Sequence, residues 1–219
     1  MVYFQKTYPA PSSLESCTSY NHQDVLDLLY DDFHNKCYIC ESEGIESINI
    51  EHFAPHTNSN EIRKYNWSNL FWACSHCNKI KSATESLLNC TCKDDKVDTN
   101  IKYYLDDDLE NNKIIIKNIA TDVKTINTAD LLIKVYNGTT NQNKFQARAK
   151  RDKLYDELCD FTSILSKYQR TEDPKKKKQF LNAIKFELSN QSAFTAFKRW
   201  IVRDNKYFSN EFEQYIQDQ

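Results

Sequence analysis

The chain has 219 residues, eight cysteines, two glycines and a formal net charge of −2. Its apolar runs are only a few residues long, far short of the ~20 apolar residues of a transmembrane helix, which excludes a membrane span. Residues 1–11 also lack the apolar stretch of a secretory signal, so we expect a cytoplasmic protein with reduced thiols.

The first 35 residues are expected to contain one helix. Residues 1–20 are predicted to be irregular, because Pro9 and Pro11 oppose helix formation. Residues 21–34 are predicted to form a helix capped by Asn21. The apolar stripe of this helix comprises Val25, Leu28, Leu29 and Phe33.

The second half of the chain is predicted to contain a β-hairpin and then mostly helices. Residues 101–120 have two apolar stretches around a polar tip at 106–112, in which Asn takes the turn positions that Gly usually fills. From about residue 121 onward the pattern is helical, and Asp173-Pro174 marks a break before a second helix that runs to Ser189. An apolar seam at helical spacing precedes this break and comprises Leu154, Leu158, Phe161, Leu165 and Tyr168.

Charge is unevenly distributed along the chain. Residues 1–142 carry a balance of −7, and residues 143–200 carry +7. A basic segment attracts phosphates or an acidic protein partner, or it is simply a solvated helical surface. The sequence leaves open which of these describes the run Lys175–Lys178.

Two CxxC pairs give the strongest chemical signal. We call Cys37–Cys40 the first knuckle and Cys74–Cys77 the second knuckle. Each places two thiolates on one tight turn, and four sulfurs form the closed tetrahedral set that structural Zn²⁺ prefers. A redox role is disfavoured, because neither pair begins an evident βαβ unit. Cys90 and Cys92 form a CxC that either supplies alternative ligands or, as we expect, two free thiols. The isolated Cys17 and Cys159 are expected to be ordinary core or surface residues.

The segment between the knuckles contains three short motifs in order. Glu51-His52 comes first, Asn69-Leu70 follows, and the second knuckle runs directly into Asn78 and Lys81. This combination resembles the HNH endonucleases, whose fold is a ββα-metal finger. The resemblance implies an α+β protein, mostly α, with a small HNH finger stabilised by a four-cysteine zinc site, a β-hairpin and a helical C-terminal region.

The resemblance also assigns roles. It implies that His52 is the general base, that Glu51 and Asn78 bind a catalytic Mg²⁺ or Mn²⁺, and that Asn69 holds the loop or orients His52. Many HNH proteins have Asp before the His and a His in place of Asn78. Both residues present here keep an oxygen ligand, which suits a hard cation.

The remaining histidines and cations of this segment are less defined. His56 either contacts phosphate or metal, or lies on the surface. His76, inside the second knuckle, is expected to be exposed. Basic residues that either touch phosphates or are only solvated are Arg63, Lys64, Lys79 and Lys81.

A narrower resemblance covers nearly the whole chain. The opening residues 6–11, the first knuckle with Glu41, residues 50–53 and residues 65–70 resemble the PtuB family, the HNH subunits of Septu-type bacterial anti-phage systems, some linked to retrons. It implies a complex with a PtuA-like ABC/SMC-type ATPase in the bacterial cytoplasm, and in linked systems a retron reverse transcriptase with its msDNA. The two glycines, Gly44 and Gly138, cannot build a GxxxxGK[ST] loop, so a nucleotide switch requires a partner.

Three functions compete, and three segments are predicted. The first function is DNA hydrolysis by the finger; the alternatives are an RNase of the same fold, for instance one that cleaves tRNA, and a non-catalytic zinc module that binds nucleic acid or protein. The predicted segments are 1–35, an N-terminal segment and helix; 36–92, the zinc-bound nuclease domain; and 93–219, a hairpin and helical region that docks the partner.

Overall fold

The computed structural model describes residues 1–44, 47–56, 61–106 and 113–216. Its first helix, α1 (Gln23–Asp32), follows a short 3-10 helix at Ser12–Ser16. The predicted helix is thus confirmed, but Asn21 is not its cap. His22 takes the cap position without a side-chain bond, and Asn21 instead turns its backbone N–H to Ser19 Oγ, 3.0 Å away. The predicted stripe faces inward, with three members fully buried and one partly buried: Val25, Leu29 and Phe33, and then Leu28.

The first sheet is a pair of antiparallel strands followed at once by a helix. Strand β1 (Ile48–His52) pairs with β2 (Leu70–Cys74), so that His52 lies opposite Leu70. Between them come a short helix, α2 (Glu61–Tyr65), and a 3-10 turn. Helix α3 (Ser75–Lys81) continues directly from β2 and packs on both strands. Because side chains alternate along a strand, neighbouring β1 residues point to opposite faces of this sheet.

The predicted hairpin in the second half is present. Strands β3 (Ile101–Leu105) and β4 (Ile114–Asn118) pair antiparallel, and a short helix, α4 (Val97–Asn100), leads into them. Residues 107–112, which hold most of the predicted tip, lie outside the described residues.

The rest of the described chain is helical. Helix α6 (Asn141–Arg170) ends before the predicted break, where Asp173 caps the next helix by accepting a hydrogen bond from Lys175 N at 2.9 Å, with Pro174 in its first turn. The predicted end at Ser189 is confirmed, since that residue is the C-cap. The helices are α5 (Val123–Asn137), α6 (Asn141–Arg170), α7 (Pro174–Leu188), α8 (Thr195–Asp204) and α9 (Lys206–Phe212).

Two clusters of buried apolar side chains hold these elements together. The larger core draws on the N-terminal segment, both sheets, α5, the middle of α6 and α8. The smaller core joins the last half of α6 to α7 and α9. Every residue of the predicted α6 seam is buried, with Leu154 and Leu158 in the larger core and Phe161, Leu165 and Tyr168 in the smaller one. Helix α6 therefore links the two cores.

The architecture is α+β and mostly helical, with two small two-stranded sheets, as the sequence predicts. Among the described residues, no helix combines the length and the apolar character that crossing a membrane requires.

Candidate metal centre and its surroundings

The four cysteines of the two knuckles converge. The sulfur atoms of Cys37, Cys40, Cys74 and Cys77 all lie within 4.8 Å of one another, and all four residues are buried. The Sγ atoms of Cys40 and Cys74 are 3.9 Å apart. Zn–S bonds of about 2.3 Å in a tetrahedron place sulfurs roughly 3.8 Å apart, so this cluster has the dimensions of a structural zinc site. The other four cysteines stay outside it as free thiols.

Backbone contacts explain why the knuckles meet. The first knuckle follows α1 and is closed by a bond from Glu41 N to Cys37 O at 2.8 Å. Tyr38 N donates to Trp72 O at 3.0 Å, which ties this turn to β2. The second knuckle spans the end of β2 and the start of α3, and Cys74 Sγ there accepts a bond from Cys77 N at 3.5 Å. The sheet therefore brings both turns to the same place.

A lysine from α6 completes the surroundings of the sulfurs. Lys150 Nζ lies 3.3 Å from Cys40 Sγ and 3.4 Å from Cys74 Sγ. Burial lowers the pKa of Lys150, but the four cysteines raise it more, so the net pKa is well above its usual range. Burial opposes ionisation of Cys40, yet bonds from the neighbouring cysteines and the charge of Lys150 hold its pKa well below its usual range. This end of the cluster is arranged for thiolates.

His52, the predicted general base, is half-buried at the end of β1. Its Nε2 lies 2.9 Å from Lys64 O, and its ring meets the ring of Tyr20 edge-on at 4.8 Å and that of His56 at 4.2 Å between centroids. A carbonyl only accepts, so Nε2 carries the proton of the neutral ring and Nδ1 keeps the lone pair. Burial is the main cause that lowers the pKa of His52, with the charges of His56, Lys81 and Lys64 acting in the same direction against the Lys64 carbonyl.

Glu51, the predicted metal ligand, is buried and paired. Its Oε1 accepts a bond from Lys81 Nζ at 2.8 Å, and Lys81 also donates to His52 O at 3.1 Å. Its Oε2 is buried without a hydrogen-bond partner. Burial raises the pKa of Glu51, and the charge of Lys81 opposes that rise. One carboxylate oxygen is thus bound by a lysine, and the other has its acceptor capacity unused.

The two predicted asparagines differ in their surroundings. The side-chain amide of Asn69 bonds to the backbone of two nearby residues. Its Oδ1 accepts from Ala54 N at 2.7 Å, and its Nδ2 donates to Ala54 O and Arg63 O, both at 2.9 Å. These hydrogen bonds hold the loop between the two strands. Asn78 is half-buried on α3, one residue after the second knuckle. Its backbone carbonyl accepts a hydrogen bond from Ser82 N at 2.9 Å.

The described residues provide fewer converging ligands for a hard cation such as Mg²⁺ than for zinc. Within the described ranges, the four cysteines are the only group of three or more Cys, His, Asp or Glu side chains whose ligand atoms converge. Glu51, His52 and His56 therefore do not form a second group of this kind. The unpartnered Oε2 of Glu51 is the atom that fits an Mg²⁺ or Mn²⁺ ion, and Lys81 holds the other oxygen of the same carboxylate.

His76 is not exposed, which corrects the expectation from the sequence. It is 7% exposed, with Nδ1 2.8 Å from Gln146 Oε1 and Nε2 3.0 Å from Val135 O. The physical reason is that α5 and α6 pack over α3, so the inner residue of the second knuckle meets two helices instead of solvent.

Sequence reasoning also missed the positions of two lysines. The sequence predicts Lys81 to be a phosphate contact or a solvated charge, but it is fully buried against Glu51. No motif singles out Lys150, although it lies one helical turn before Leu154 on the apolar seam of α6. A cation on such a stripe needs a buried counter-charge, and that signal was present in the sequence.

Comparison of the chain with protein-family models, with curated proteins and with solved structures gives no match. A functional assignment rests on the motifs and on the geometry described above.

Proposed function

We propose that this chain is a metal-dependent HNH endonuclease that hydrolyses phosphodiester bonds of DNA, with a structural zinc on its four cysteines. One observation carries the proposal. His52 ends a strand whose partner runs directly into α3 through the second knuckle, so one sheet-and-helix unit braced by four sulfurs bears His52, Glu51 and Asn78. The motifs that resemble the HNH family occur on this unit in the family's order.

The chemistry assigns each residue a task. Phosphodiester hydrolysis needs a water that loses its proton and a leaving oxygen whose negative charge is stabilised. His52 has its Nε2 bound to a backbone carbonyl, which leaves Nδ1 as the nitrogen that takes the proton of the water. A bound Mg²⁺ or Mn²⁺ would supply Lewis-acid stabilisation of the developing charge. Glu51 and Asn78 would hold this ion, and the lowered pKa of His52 keeps the ring neutral at pH 7.

The zinc is proposed to be structural. Four sulfur ligands close the coordination shell, so no position is left for substrate or water. The knuckles join α1 and β2 on one side to α3 on the other, and a metal there would fix the orientation of the strand that ends in His52.

The test compares His52→Ala with His22→Ala in the full chain. Labelled DNA and RNA are incubated with each purified protein in Mg²⁺ or Mn²⁺, alone and with an ATPase encoded beside it. We expect His52→Ala to lower the cleavage rate by about 10²- to 10⁴-fold, the usual effect of removing a general base. His22→Ala is the matched control, because His22 lies at the start of α1, outside this sheet-and-helix unit, and it should leave cleavage unchanged. Zinc content and the melting temperature should be unchanged in His52→Ala.

Three results would overturn parts of the proposal. Normal cleavage by His52→Ala would remove its role as base, and cleavage of RNA alone would make the protein an RNase. The absence of cleavage under every condition would favour a non-catalytic zinc module. One observation supports the non-catalytic zinc module: Lys81 already pairs with Glu51, the buried carboxylate that the catalytic ion would need.

We also propose that the helical region after residue 93 docks a PtuA-like ATPase, as the narrower resemblance implies. The given sequence forms no phosphate-binding loop of its own, so a nucleotide switch in such a system would have to come from the partner. Co-purification of the full chain with the product of a neighbouring ATPase gene would test this pairing.

A further inference from the structure

A basic groove opens where α5 turns into α6. Its cavity is about 510 Å³, and its lining includes Lys113, Asn137, Lys144, Phe145, Arg148 and Arg151. Four of these six side chains are cationic, and the described part of the chain contributes no carboxylate to the lining. We call this feature the basic groove.

The start of α6 sets the spacing of the groove's charges. Lys144, Arg148 and Arg151 recur at i, i+4 and i+7, which places them along one face of the helix. In the part of the chain that the structure describes, Lys144 and Arg148 make no ion pair, and both are exposed. Their charges are therefore available to a ligand.

The groove is built on a rigid turn. Gly138 has a φ of +70°, and a Cβ at this position would lie 2.7 Å from Lys144 N, so the turn requires glycine and holds the start of α6 close to the end of α5. The side chain of Asn137 makes two hydrogen bonds to the backbone of Ile114: Oδ1 accepts from Ile114 N at 3.0 Å, and Nδ2 donates to Ile114 O at 2.9 Å. These bonds fix β4 beside the turn and bring Lys113 to the groove.

Two further side chains give the groove a chemical character beyond charge. Phe145 is 78% exposed, so most of its phenyl ring is open to a ligand. Arg151 is held by a bond from Nη1 to Tyr136 O at 2.6 Å, while its Nε is buried without a hydrogen-bond partner. Cations one helical turn apart beside one open aromatic ring suit a strand that offers both phosphates and an unpaired base.

We propose that the basic groove binds a single strand of nucleic acid, with phosphates on Lys144 and Arg148 and a base stacked on Phe145. A duplex would satisfy the cations, but its paired bases could not cover the ring. Gln146, next to Phe145, contacts His76 of α3, so the groove is anchored to the helix that carries the second knuckle and Asn78. The inference deepens the proposed function and rests on it for the class of ligand.

The test measures binding without cleavage. Fluorescence anisotropy of labelled single-stranded DNA, single-stranded RNA and duplex DNA is recorded with the full-length His52→Ala protein, without added Mg²⁺ or Mn²⁺. We expect Phe145→Ala to weaken binding of single strands by about 5- to 100-fold and duplex binding much less. Lys144→Ala with Arg148→Ala should weaken binding of all three ligands and reduce the slope of log K against log salt by about 1.4 for the single strands and about 1.8 for the duplex.

Matched controls lie on α7, where Phe186 is also exposed and Lys175 and Lys176 form an exposed pair. Phe186→Ala removes the same kind of side chain, Lys175→Ala with Lys176→Ala removes the same number of charges, and both should leave single-strand binding within about 2-fold. Equal losses in the α6 and α7 variants would overturn the proposal, since attraction would then be non-specific. A groove variant that binds oligonucleotides normally but loses the ATPase partner would assign the groove to protein docking and would also overturn it.

This test separates the two proposals. If no cleavage is ever found but the groove variants lose single-strand binding, the groove stands and the nuclease assignment falls. If cleavage depends on His52 but the groove variants bind normally, the reverse holds.

Discussion

The ammonium of Lys81 lies 2.8 Å from Oε1 of Glu51, and both side chains are buried. The other carboxylate oxygen has no hydrogen-bond partner. Lys81 thus supplies the only positive charge in hydrogen-bond contact with this carboxylate within the described residues. Under the proposed function the same carboxylate would also contact a divalent cation, so the lysine and the metal would share one anion.

Replacing Lys81 by Met tests the energetic weight of this pair. Met keeps the length of the side chain but leaves a buried carboxylate unpaired, and we expect the free energy of unfolding to fall by about 3–5 kcal/mol. Urea unfolding followed by circular dichroism measures the change. Lys102→Met is the control, because its pair with Asp204 is partly exposed and should cost at most about 1 kcal/mol.

The double variant Lys81→Met with Glu51→Gln should recover most of that loss, because no uncompensated charge remains. If Glu51 binds a divalent ion, Mn²⁺ should stabilise Lys81→Met more than it stabilises the wild type, and it should not stabilise the double variant. Equal stabilisation of all three proteins by Mn²⁺ would count against Glu51 as a ligand.

Zinc removal should unfold the region around the knuckles. Cys37→Ser takes away one of four converging sulfurs, and the binding free energy of a structural zinc is also folding free energy. We expect the variant to lose its bound zinc and its cooperative unfolding transition, measured by elemental analysis and thermal melts. Cys159→Ser, at an exposed thiol outside the cluster, should keep both. A soluble, fully zinc-free Cys37→Ser protein with a normal melt would contradict a structural zinc.

Lys150 should tune the affinity of the zinc site. Its Nζ lies 3.3 Å from Cys40 Sγ and 3.4 Å from Cys74 Sγ, and such charge-assisted hydrogen bonds stabilise thiolates. We expect Lys150→Met to weaken zinc binding by about 10- to 100-fold, the usual effect of removing a group that supports a ligand. Competition with a chromophoric chelator measures it. Lys153→Met, an exposed lysine one turn along α6, is the matched control, and identical zinc affinity in both variants would show that Lys150 has no such role.

The stability of the N-terminal segment should depend on pH through Lys6. Its Nζ donates to Leu70 O at 2.8 Å and lies 3.2 Å from the centroid of the Trp67 ring. Burial lowers the pKa of Lys6 to about 7, while the charges of Asp32 and Cys90 oppose that shift. The unfolded chain keeps this proton up to about pH 10.5, so between pH 7 and 10.5 it binds more protons than the native state, and stability rises with pH.

Comparison with Lys6→Met isolates this effect. The difference in free energy of unfolding, wild type minus variant, should move in favour of the wild type between pH 7 and pH 10, measured by urea titration at each pH. Lys175→Met, at an exposed lysine, should show no such trend. A pH-independent difference for Lys6→Met would mean that the ammonium stays charged in the folded protein throughout this range.

Local patterns allowed the sequence to predict the elements that depend on neighbouring residues. The hairpin, the seam of α6 and the break at Asp173-Pro174 follow from periodicity and from the geometry of proline, which act within a few residues. The prediction that Asn21 caps α1 is wrong by one residue, because the backbone N–H of Asn21 donates to Ser19 Oγ. The convergence of the knuckles also followed from their spacing.

Contacts between distant segments were not predictable in the same way. His76 looks like an exposed knuckle residue until α5 and α6 cover it, 59 and 70 residues further along the chain. The pairing of Lys81 with Glu51 depends on how α3 lies on the sheet, which no local pattern specifies. The family motifs named Glu51, His52 and Asn78, but only the structure reveals that a lysine already engages that carboxylate.

Helix α6 runs unbroken for 30 residues, about 45 Å, from the basic groove through the larger core to the smaller one. One continuous element thus connects the groove with both cores. A partner that tilts the bundle at its far end would also displace the ammonium seated against the sulfurs and the cations at its near end. Binding of a partner at one end of α6 would then shift the side chains at its other end, without any change in the groups that touch a phosphate.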